Sequence, residues 1–109
     1  MATVQVATKS EIPAGAMKAF AVGDNQILVA NCDGALYAVS NICTHMGGRL
    51  SEGRLEGFTC TCPRHGASFD LRTGANVTPP KIGPLKMTAA KLRSYPVAVE
   101  GDNITVTVE

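Results

Sequence analysis

The chain has 109 residues, of which 45% are hydrophobic, 17% are charged and only 5% are aromatic. This length suffices for one domain with one modest core, and the composition is that of a globular chain and not of a disordered one. The formal net charge is +1, which gives no electrostatic reason to expect nucleic acid as a partner. We therefore expect a single domain over residues 1–109, and its many Val, Ile and Thr residues favour strands.

The start of the chain, Met1–Glu11, lacks the basic residues and the apolar segment of a signal peptide. No stretch of the sequence approaches the roughly 20 apolar residues of a membrane-spanning helix. We therefore expect a soluble, cytoplasmic protein with no membrane partner. In such a chain, four cysteines suggest metal binding or catalysis before they suggest disulfides.

Both ends of the chain carry the alternating or β-branched pattern of strands. The predicted strands are Thr3–Ala7, Lys18–Val22, Gln26–Asn31, Ala35–Val39, Tyr95–Glu100 and Ile104–Val108. Asp33-Gly34 is a hairpin turn signal, and Gly101-Asp102-Asn103 is a second turn. These segments predict an all-β protein with an antiparallel β-sandwich or small barrel as its base.

The middle of the chain, residues 41–84 approximately, is richer in Gly, Pro, Cys and His. It contains two loops, Cys43–Leu50 and Cys62–Ser68, and a predicted strand, Leu55–Thr61, between them. A Pro-rich segment, Val77–Pro84, follows, and Met87–Leu92 has the pattern of one short helical turn. We interpret this region as a small cluster-binding lobe of two loops plus a Pro-rich loop, inserted into the β base.

The two loops each carry a cysteine followed closely by a histidine. The pairs are Cys43-Thr-His45 and Cys62-Pro-Arg-His65, and they use both histidines of the chain. A structural zinc site takes the same four donors, but its usual order is two cysteines and then two histidines. Mixed pairs suit a binuclear cluster in which one iron binds both thiolates and the other binds both imidazoles. Zinc stays open at this point as the alternative.

The two loops resemble those of Rieske [2Fe–2S] proteins. The resemblance rests on Cys43-Thr-His45-Met-Gly-Gly and on Cys62-Pro-Arg-His65-Gly-Ala-Ser-Phe-Asp-Leu-Arg-Thr-Gly. It extends over nearly the whole chain, including the prolines at 79 and 80 and the closing hairpin from Tyr95. The resemblance implies the Rieske fold and one [2Fe–2S] cluster per chain, with Cys43, His45, Cys62 and His65 as ligands to iron.

The resemblance also places the chain on one branch of that family. Rieske subunits of cytochrome complexes carry an extra disulfide between the loops, and the matching positions here are Gly48 and Arg64. The serine and tyrosine whose hydroxyls donate to sulfur in those subunits are replaced by Ala67 and Phe69, and Ser68 lies beside the usual serine position. Because each lost hydrogen bond removes stabilisation of the reduced state, we expect a midpoint potential of roughly −150 mV.

Small soluble Rieske proteins of this kind resemble the ferredoxins of bacterial aromatic-ring dioxygenase systems. The resemblance implies an electron-transfer protein and not an enzyme. Its donor would be a flavin-containing ferredoxin reductase, and its acceptor would be a terminal oxygenase. Two other interpretations are a permanently bound Rieske small subunit of a reductase, such as assimilatory nitrite reductase, and a structural zinc domain.

Other residues near the loops have two interpretations each. Cys32 and Cys60 are either buried hydrophobic residues or redox-active thiols, with Cys60 also a possible ligand, and burial is the expected role. Four arginines lie in or near the loops and either form a docking patch for an acidic partner or belong to an ordinary solvated surface. They are Arg49, Arg54, Arg64 and Arg72.

Overall fold

The computed structural model describes residues 2–42, 49–63, 66–78, 81–82, 85–86 and 91–108. Within these residues the chain forms antiparallel sheets and two short 3-10 helices, Lys9–Glu11 and Leu50–Glu52. The strands are β1 (Ala2–Thr8), β2 (Met17–Val22), β3 (Asn25–Cys32), β4 (Ala35–Ser40), β5 (Arg54–Glu56), β6 (Thr59–Thr61), β7 (Ser68–Asp70), β8 (Asn76–Thr78), β9 (Lys81–Ile82), β10 (Leu85–Lys86), β11 (Ser94–Tyr95), β12 (Val97–Glu100) and β13 (Asn103–Val108). The all-β prediction is confirmed.

The base of the molecule contains two sheets, ordered β1-β13-β12 and β11-β4-β3-β2. Strand β3 is buried on both faces because it lies between two apolar clusters. Ile27 and Val29 pack in the cluster that contains Ile104 and other side chains of β13. Leu28 and Ala30 point to the opposite face, as the period of a strand requires, and join a second cluster. β3 therefore contributes side chains both to the apolar cluster of the base and to the cluster that it shares with the cluster-binding lobe.

The turn predicted at Asp33-Gly34 joins β3 to β4 as expected. Both residues have positive φ, 56° at Asp33 and 97° at Gly34, which is the geometry of a tight two-residue hairpin. The side-chain oxygen of Asn31 accepts a 2.7 Å hydrogen bond from the N–H of Gly34 and closes the turn. Local sequence alone is sufficient to specify this hairpin.

The strand predicted over Tyr95–Glu100 is divided at Pro96. β11 pairs with β4 in one base sheet, whereas β12 pairs with β13 in the other. Pro96 has no N–H to donate to a ladder, and its carbonyl oxygen accepts a 3.0 Å hydrogen bond from the N–H of Thr107. The proline therefore lies where the chain crosses from one sheet to the next.

The single strand predicted over Leu55–Thr61 is wrong. The structure has a hairpin there, in which β5 and β6 are joined by a turn at Gly57 and Phe58. Gly57 has φ +60°, a conformation that other residues adopt only at a cost. β5 and β6 continue into a four-stranded sheet of order β5-β6-β7-β8. β9 and the last two residues of β8 also lie within Val77–Pro84, the segment predicted as a Pro-rich loop.

The four-stranded sheet β5-β6-β7-β8 and both candidate loops lie in one insertion, residues 41–93. The chain leaves the base at the end of β4 and returns at β11, and these two strands are neighbours, with Ser94 paired to Val39. We call residues 41–93 the inserted segment. Pro79, Pro80, Pro84 and most of the helical turn predicted over Met87–Leu92 lie outside the described residues.

Candidate metal centre

The second candidate loop begins at Cys62, directly after β6. The Cys62 side chain is 2% exposed, and its backbone N–H donates a 2.7 Å hydrogen bond to the carbonyl oxygen of Ala67. Gly66, with φ +73°, turns the chain back toward β7. The loop is therefore closed at its neck by one hydrogen bond and held at its base by the β6–β7 ladder. His65 and Arg64 lie between these points and outside the described residues.

The first candidate loop has a neck of the same kind. An isolated antiparallel bridge pairs Ile42 with Arg49, and the carbonyl oxygen of Asn41 accepts a 2.8 Å hydrogen bond from the N–H of Leu50. The side-chain oxygen of Asn41 accepts a second 2.8 Å hydrogen bond, from the N–H of Ser51. The loop ends are thus fixed, while Cys43 and His45 lie outside the described residues.

Asn41 is a positioning residue that the sequence did not reveal. It is 2% exposed, and its own N–H donates a 2.8 Å hydrogen bond to the carbonyl oxygen of Gln26 in β3. A buried polar side chain is retained where it is hydrogen-bonded. Asn41 therefore ties the neck of the first loop to the base. The available signal was a polar residue directly after an apolar strand.

The necks of the two loops meet through the buried residues between them. Leu50, Cys60 and Cys62 are each at most 2% exposed and belong to the same apolar cluster. The Sγ–H of Cys60 donates a 3.5 Å hydrogen bond to the carbonyl oxygen of Leu50, and its sulfur lies 3.8 Å from Sδ of Met17. The end of the first loop is therefore packed against the strand that leads into the second.

A close backbone contact brings the same two segments together. A Cβ atom placed on Gly53 would overlap the carbonyl oxygen of Thr61, the residue before Cys62. Gly53 follows the short helix Leu50–Glu52 that ends the first neck. Only a residue without a side chain allows this approach. Gly53 lies outside the ligand motifs, and no local pattern in the sequence marks it.

Of the four predicted ligands, the structure describes only Cys62. Cys62 supplies a thiol at the neck of one loop, and the other loop opens from a neck packed against the same cluster. No group of three or more His, Cys, Asp or Glu side chains converges among the described residues. Three of the predicted ligands are not among them, namely Cys43, His45 and His65.

Ala67 and Phe69, which replace the serine and tyrosine of the cytochrome-complex subunits, are buried beside Cys62. Ala67 is 1% exposed and Phe69 is fully buried, and both belong to the cluster that contains Cys62. Ser68 is also buried and lies in β7 directly before Phe69, so the alternation of the strand turns its side chain to the other face. The neighbourhood of the Cys62 thiol is therefore apolar on the side that Ala67 and Phe69 form.

Cys32 and Cys60 are both buried, as expected of small apolar residues. Burial is the main cause that raises the pKa of the Cys32 thiol, and the negative charge of Asp70 adds to it, while Arg72 acts in the opposite direction. A thiol that is buried and hard to ionise is a poor nucleophile. The structure therefore supports a packing role for Cys32.

The described arginines near the loops are exposed, but they differ in their partners. Arg54 forms a 2.8 Å ion pair with Glu56. Arg72 forms a two-point contact with Asp70, at 3.1 Å from Nε and 2.9 Å from Nη2. That contact lowers the pKa of the Asp70 carboxyl. It also closes a turn over residues 70–74, where the N–H of Gly74 donates to the carbonyl oxygen of Asp70 at 2.6 Å. Arg64 lies outside the described residues.

The described part of the chain contains no helix long and apolar enough to cross a membrane.

Residues 2–96 match the family model of the Rieske [2Fe–2S] domain. The ferredoxin component of biphenyl 2,3-dioxygenase from Rhodococcus jostii (strain RHA1) is 34% identical over 109 residues, which cover all of this chain and 95% of the relative. The solved ferredoxin of carbazole 1,9a-dioxygenase from Nocardioides aromaticivorans IC177 is similar over the full length of both chains, with 32% identity and a TM-score of 0.81.

A second solved structure contains such a ferredoxin together with an oxygenase. It is the complex of reduced oxygenase and oxidized ferredoxin in carbazole 1,9a-dioxygenase, and the similarity has a TM-score of 0.79 at 28% identity and covers 95% of this chain and 91% of the other. These relatives are ferredoxins, which carry electrons and are not catalytic enzymes, and neither a reductase subunit nor a zinc domain is favoured. The all-β base and the inserted segment with its two loops are consistent with the match of residues 2–96 to the family model. The chain belongs to the Rieske [2Fe–2S] domain family.

Proposed function

We propose that this protein is a low-potential ferredoxin that passes single electrons from a flavin-containing reductase to a terminal oxygenase. Cys43, His45, Cys62 and His65 would hold its [2Fe–2S] cluster, two ligands from each loop. The observation that carries the proposal is the position of Cys62, whose thiol lies at a hydrogen-bonded neck packed against the neck of the first loop. When bound, the cluster supplies a centre that accepts and releases one electron.

The residues of the chain have two tasks in this proposal. The hydrogen bonds at Asn41 and Cys62 anchor the ends of the two loops that would carry the ligands. The buried side chains of Leu50, Ala67 and Phe69 keep water away from the inner side of the loops. A rigid site of this kind changes little between oxidation states, so little reorganisation accompanies electron transfer.

The proposed acceptor follows from the relatives. The ferredoxin of a similar fold was solved with an oxygenase, and the relative from Rhodococcus jostii is a component of a dioxygenase system. The proposed donor, a flavin reductase, rests on the resemblance alone. The proposal also includes a cytoplasmic location and a single domain over residues 1–109 with the cluster-binding lobe at about 41–84. Strand β3, which packs in both apolar clusters, supports the single domain.

The first experiment measures iron, acid-labile sulfide and zinc per chain in the purified protein, with its visible absorption and the EPR spectrum after reduction by dithionite. The proposal expects two irons, a coloured protein and a rhombic EPR signal. A Cys62→Ser variant should lose the colour and the iron, whereas Cys32→Ala, a buried cysteine outside the motifs, should keep both. A colourless wild-type protein with one zinc would overturn the proposal.

The second experiment tests the role of the cluster as a carrier. The protein is mixed with NADH, a flavin-dependent ferredoxin reductase and a Rieske terminal oxygenase from a dioxygenase system. The proposal expects the ferredoxin to be reduced by the reductase and reoxidised by the oxygenase, each in a one-electron step. Gel filtration of the native protein distinguishes a mobile carrier from a fixed subunit, since a fixed subunit elutes only with a larger partner.

A further inference from the structure

The charges of the chain are divided unevenly between the inserted segment and the rest. Residues 41–93 contain eight basic and three acidic residues, a net charge of +5. The remaining residues contain two basic and six acidic residues, a net charge of −4. The overall charge of +1 is therefore the sum of a strongly basic segment and an acidic remainder. The basic segment contains both candidate cluster loops.

Salt limits the distance over which the charges of the molecule act on a contact. The longest dimension of the molecule is 49 Å, whereas the Debye length is about 10 Å at 0.1 M salt. A partner that contacts the chain at the neck of the first loop therefore responds mainly to charges within about one Debye length of that contact. Asp33 of the base lies beside the inserted segment, since it lines one cavity together with Leu55 and Gly57, and its negative charge offsets part of the positive charge there.

Arg49 is the basic residue best placed to meet a partner among those described. Its backbone is fixed by the bridge to Ile42 at the neck of the first loop, and its side chain is exposed. Arg54 and Arg72 have carboxylate partners, Glu56 and Asp70, which offset their charge. Within the part of the chain that the structure describes, no carboxylate lies within ion-pair distance of Arg49. Its charge is therefore available to a partner.

We propose that the inserted segment docks onto an acidic surface of the redox partner, with Arg49 as a docking residue at the edge of the cluster loops. This inference rests on the proposed function and adds to it the chemistry of the partner's surface. Opposite charges raise the rate of encounter and orient the molecules before contact. Arg49 directly follows the first candidate loop in the sequence, so an encounter oriented by Arg49 would bring that loop toward the partner.

The test uses small redox reagents of opposite charge in place of the partner. Reduced protein is mixed with hexacyanoferrate(III), an anion, or with hexaammineruthenium(III), a cation, and each reagent takes one electron from it. The ratio of the two rate constants is compared for wild type, Arg49→Glu and Lys9→Glu at 0.1 M and 1 M salt. Lys9 is exposed on the base, so the two variants have equal net charge and differ in the position of the change.

The proposal expects Arg49→Glu to lower this anion-to-cation ratio at 0.1 M salt by about threefold or more and Lys9→Glu to leave it within about 1.5-fold. At 1 M salt, where the Debye length is about 3 Å, the difference should nearly vanish. A substitution that changes the midpoint potential alters the driving force for both reagents in the same direction, so this effect cancels in the ratio of the two rate constants. Arg49→Lys, which keeps the charge, should behave as wild type.

A second readout does not depend on the cluster. Arg49→Glu should elute from an immobilised poly-L-aspartate column at lower salt than Lys9→Glu, although their net charges are equal. Equal behaviour of the two variants in both measurements would overturn the docking proposal. If the protein is still coloured and reducible in that case, its proposed function as an electron carrier stands. A protein without a reducible cluster would overturn the proposed function, and the column would then decide alone whether Arg49 forms an anion-binding surface.

Discussion

The backbone N–H of Cys62 donates a 2.7 Å hydrogen bond to the carbonyl oxygen of Ala67, so a predicted cluster ligand and a residue without a hydroxyl face each other at one neck. Ala67 is 1% exposed and packs in the same apolar cluster as Cys62. The residue whose backbone carbonyl closes the loop therefore has no side-chain donor to offer to sulfur. This arrangement gives a structural basis for the low midpoint potential expected from the sequence.

Ala67→Ser should raise the midpoint potential. A new hydroxyl donor to sulfur stabilises the reduced state by about 0.5–1.5 kcal/mol, which is roughly 20–60 mV for one electron. Spectroelectrochemical titration measures the change from a wild-type value of roughly −150 mV. Ser68→Ala is the control, because this neighbouring side chain faces the other way, and its midpoint should stay at the wild-type value. A wild-type midpoint above about +100 mV would contradict the low-potential assignment.

The sequence predicted the parts of the fold that depend on neighbouring residues. The hairpin at Asp33-Gly34 follows from two residues that tolerate positive φ between two apolar strands. The division at Pro96 did not follow, because it depends on pairing with two different sheets. The β5–β6 hairpin was missed because Gly57 was the only break in a short run of strand-forming residues.

The candidate site also combines features that depend on neighbouring residues with features that depend on distant ones. The ligand motifs are local, and the sequence alone predicted Cys62 and the three other ligands. Asn41 and Gly53 act through contacts with Gln26 and Thr61, which are distant from them in the sequence. Such contacts leave no local pattern, and they become visible only when the two necks are seen packed together.

Gly53→Ala should lower the cluster content of the protein. The new Cβ would overlap the carbonyl oxygen of Thr61 and displace the strand that leads into Cys62, at a cost of about 1–3 kcal/mol. Gly57→Ala is the matched control. Its Cβ meets nothing within 4 Å, but its φ of +60° imposes a cost of about 1–2 kcal/mol. Iron per chain should fall by about half or more in the first variant and stay at the wild-type value in the second. Equal iron contents would show that the close contact does not position the loop.

Arg72→Ala should lower the melting temperature more than Arg54→Ala does. Arg72 contacts Asp70 at two points and lies 4.5 Å above the ring of Phe58, which in turn packs edge-on against Tyr37 of β4. Removing this contact loosens the connection between the inserted segment and the base. Circular dichroism should report a loss of about 2–5 °C.

Arg54 provides the control for that measurement. Its pair with Glu56 has two side chains that are 76% and 66% exposed, and exposed pairs contribute little to stability. Arg54→Ala should therefore lower the melting temperature by at most about 1 °C. Equal losses in the two variants would mean that the contact of Arg72 with the Phe58 ring adds no stability.

Cys32 should resist alkylation in the folded protein and make its stability depend on alkaline pH. Burial raises the pKa of its thiol, and the negative charge of Asp70 adds to this effect. A group whose pKa is higher in the folded state gives its full stability below the unfolded pKa, about 8.5, and loses it as the pH rises toward the folded value. The melting temperature should therefore fall between pH 7.5 and pH 9.5 by more in wild type than in Cys32→Ala.

Alkylation gives an independent measure of the same property. At pH 9 an exposed thiol is mostly thiolate and reacts readily with iodoacetamide, whereas Cys32 should stay unmodified until urea unfolds the chain. Peptide mass spectrometry separates Cys32 from the other cysteines. Rapid modification of Cys32 in the folded protein would contradict its burial, because a thiol that is 2% exposed must wait for an opening of the β3–β4 hairpin before it can react.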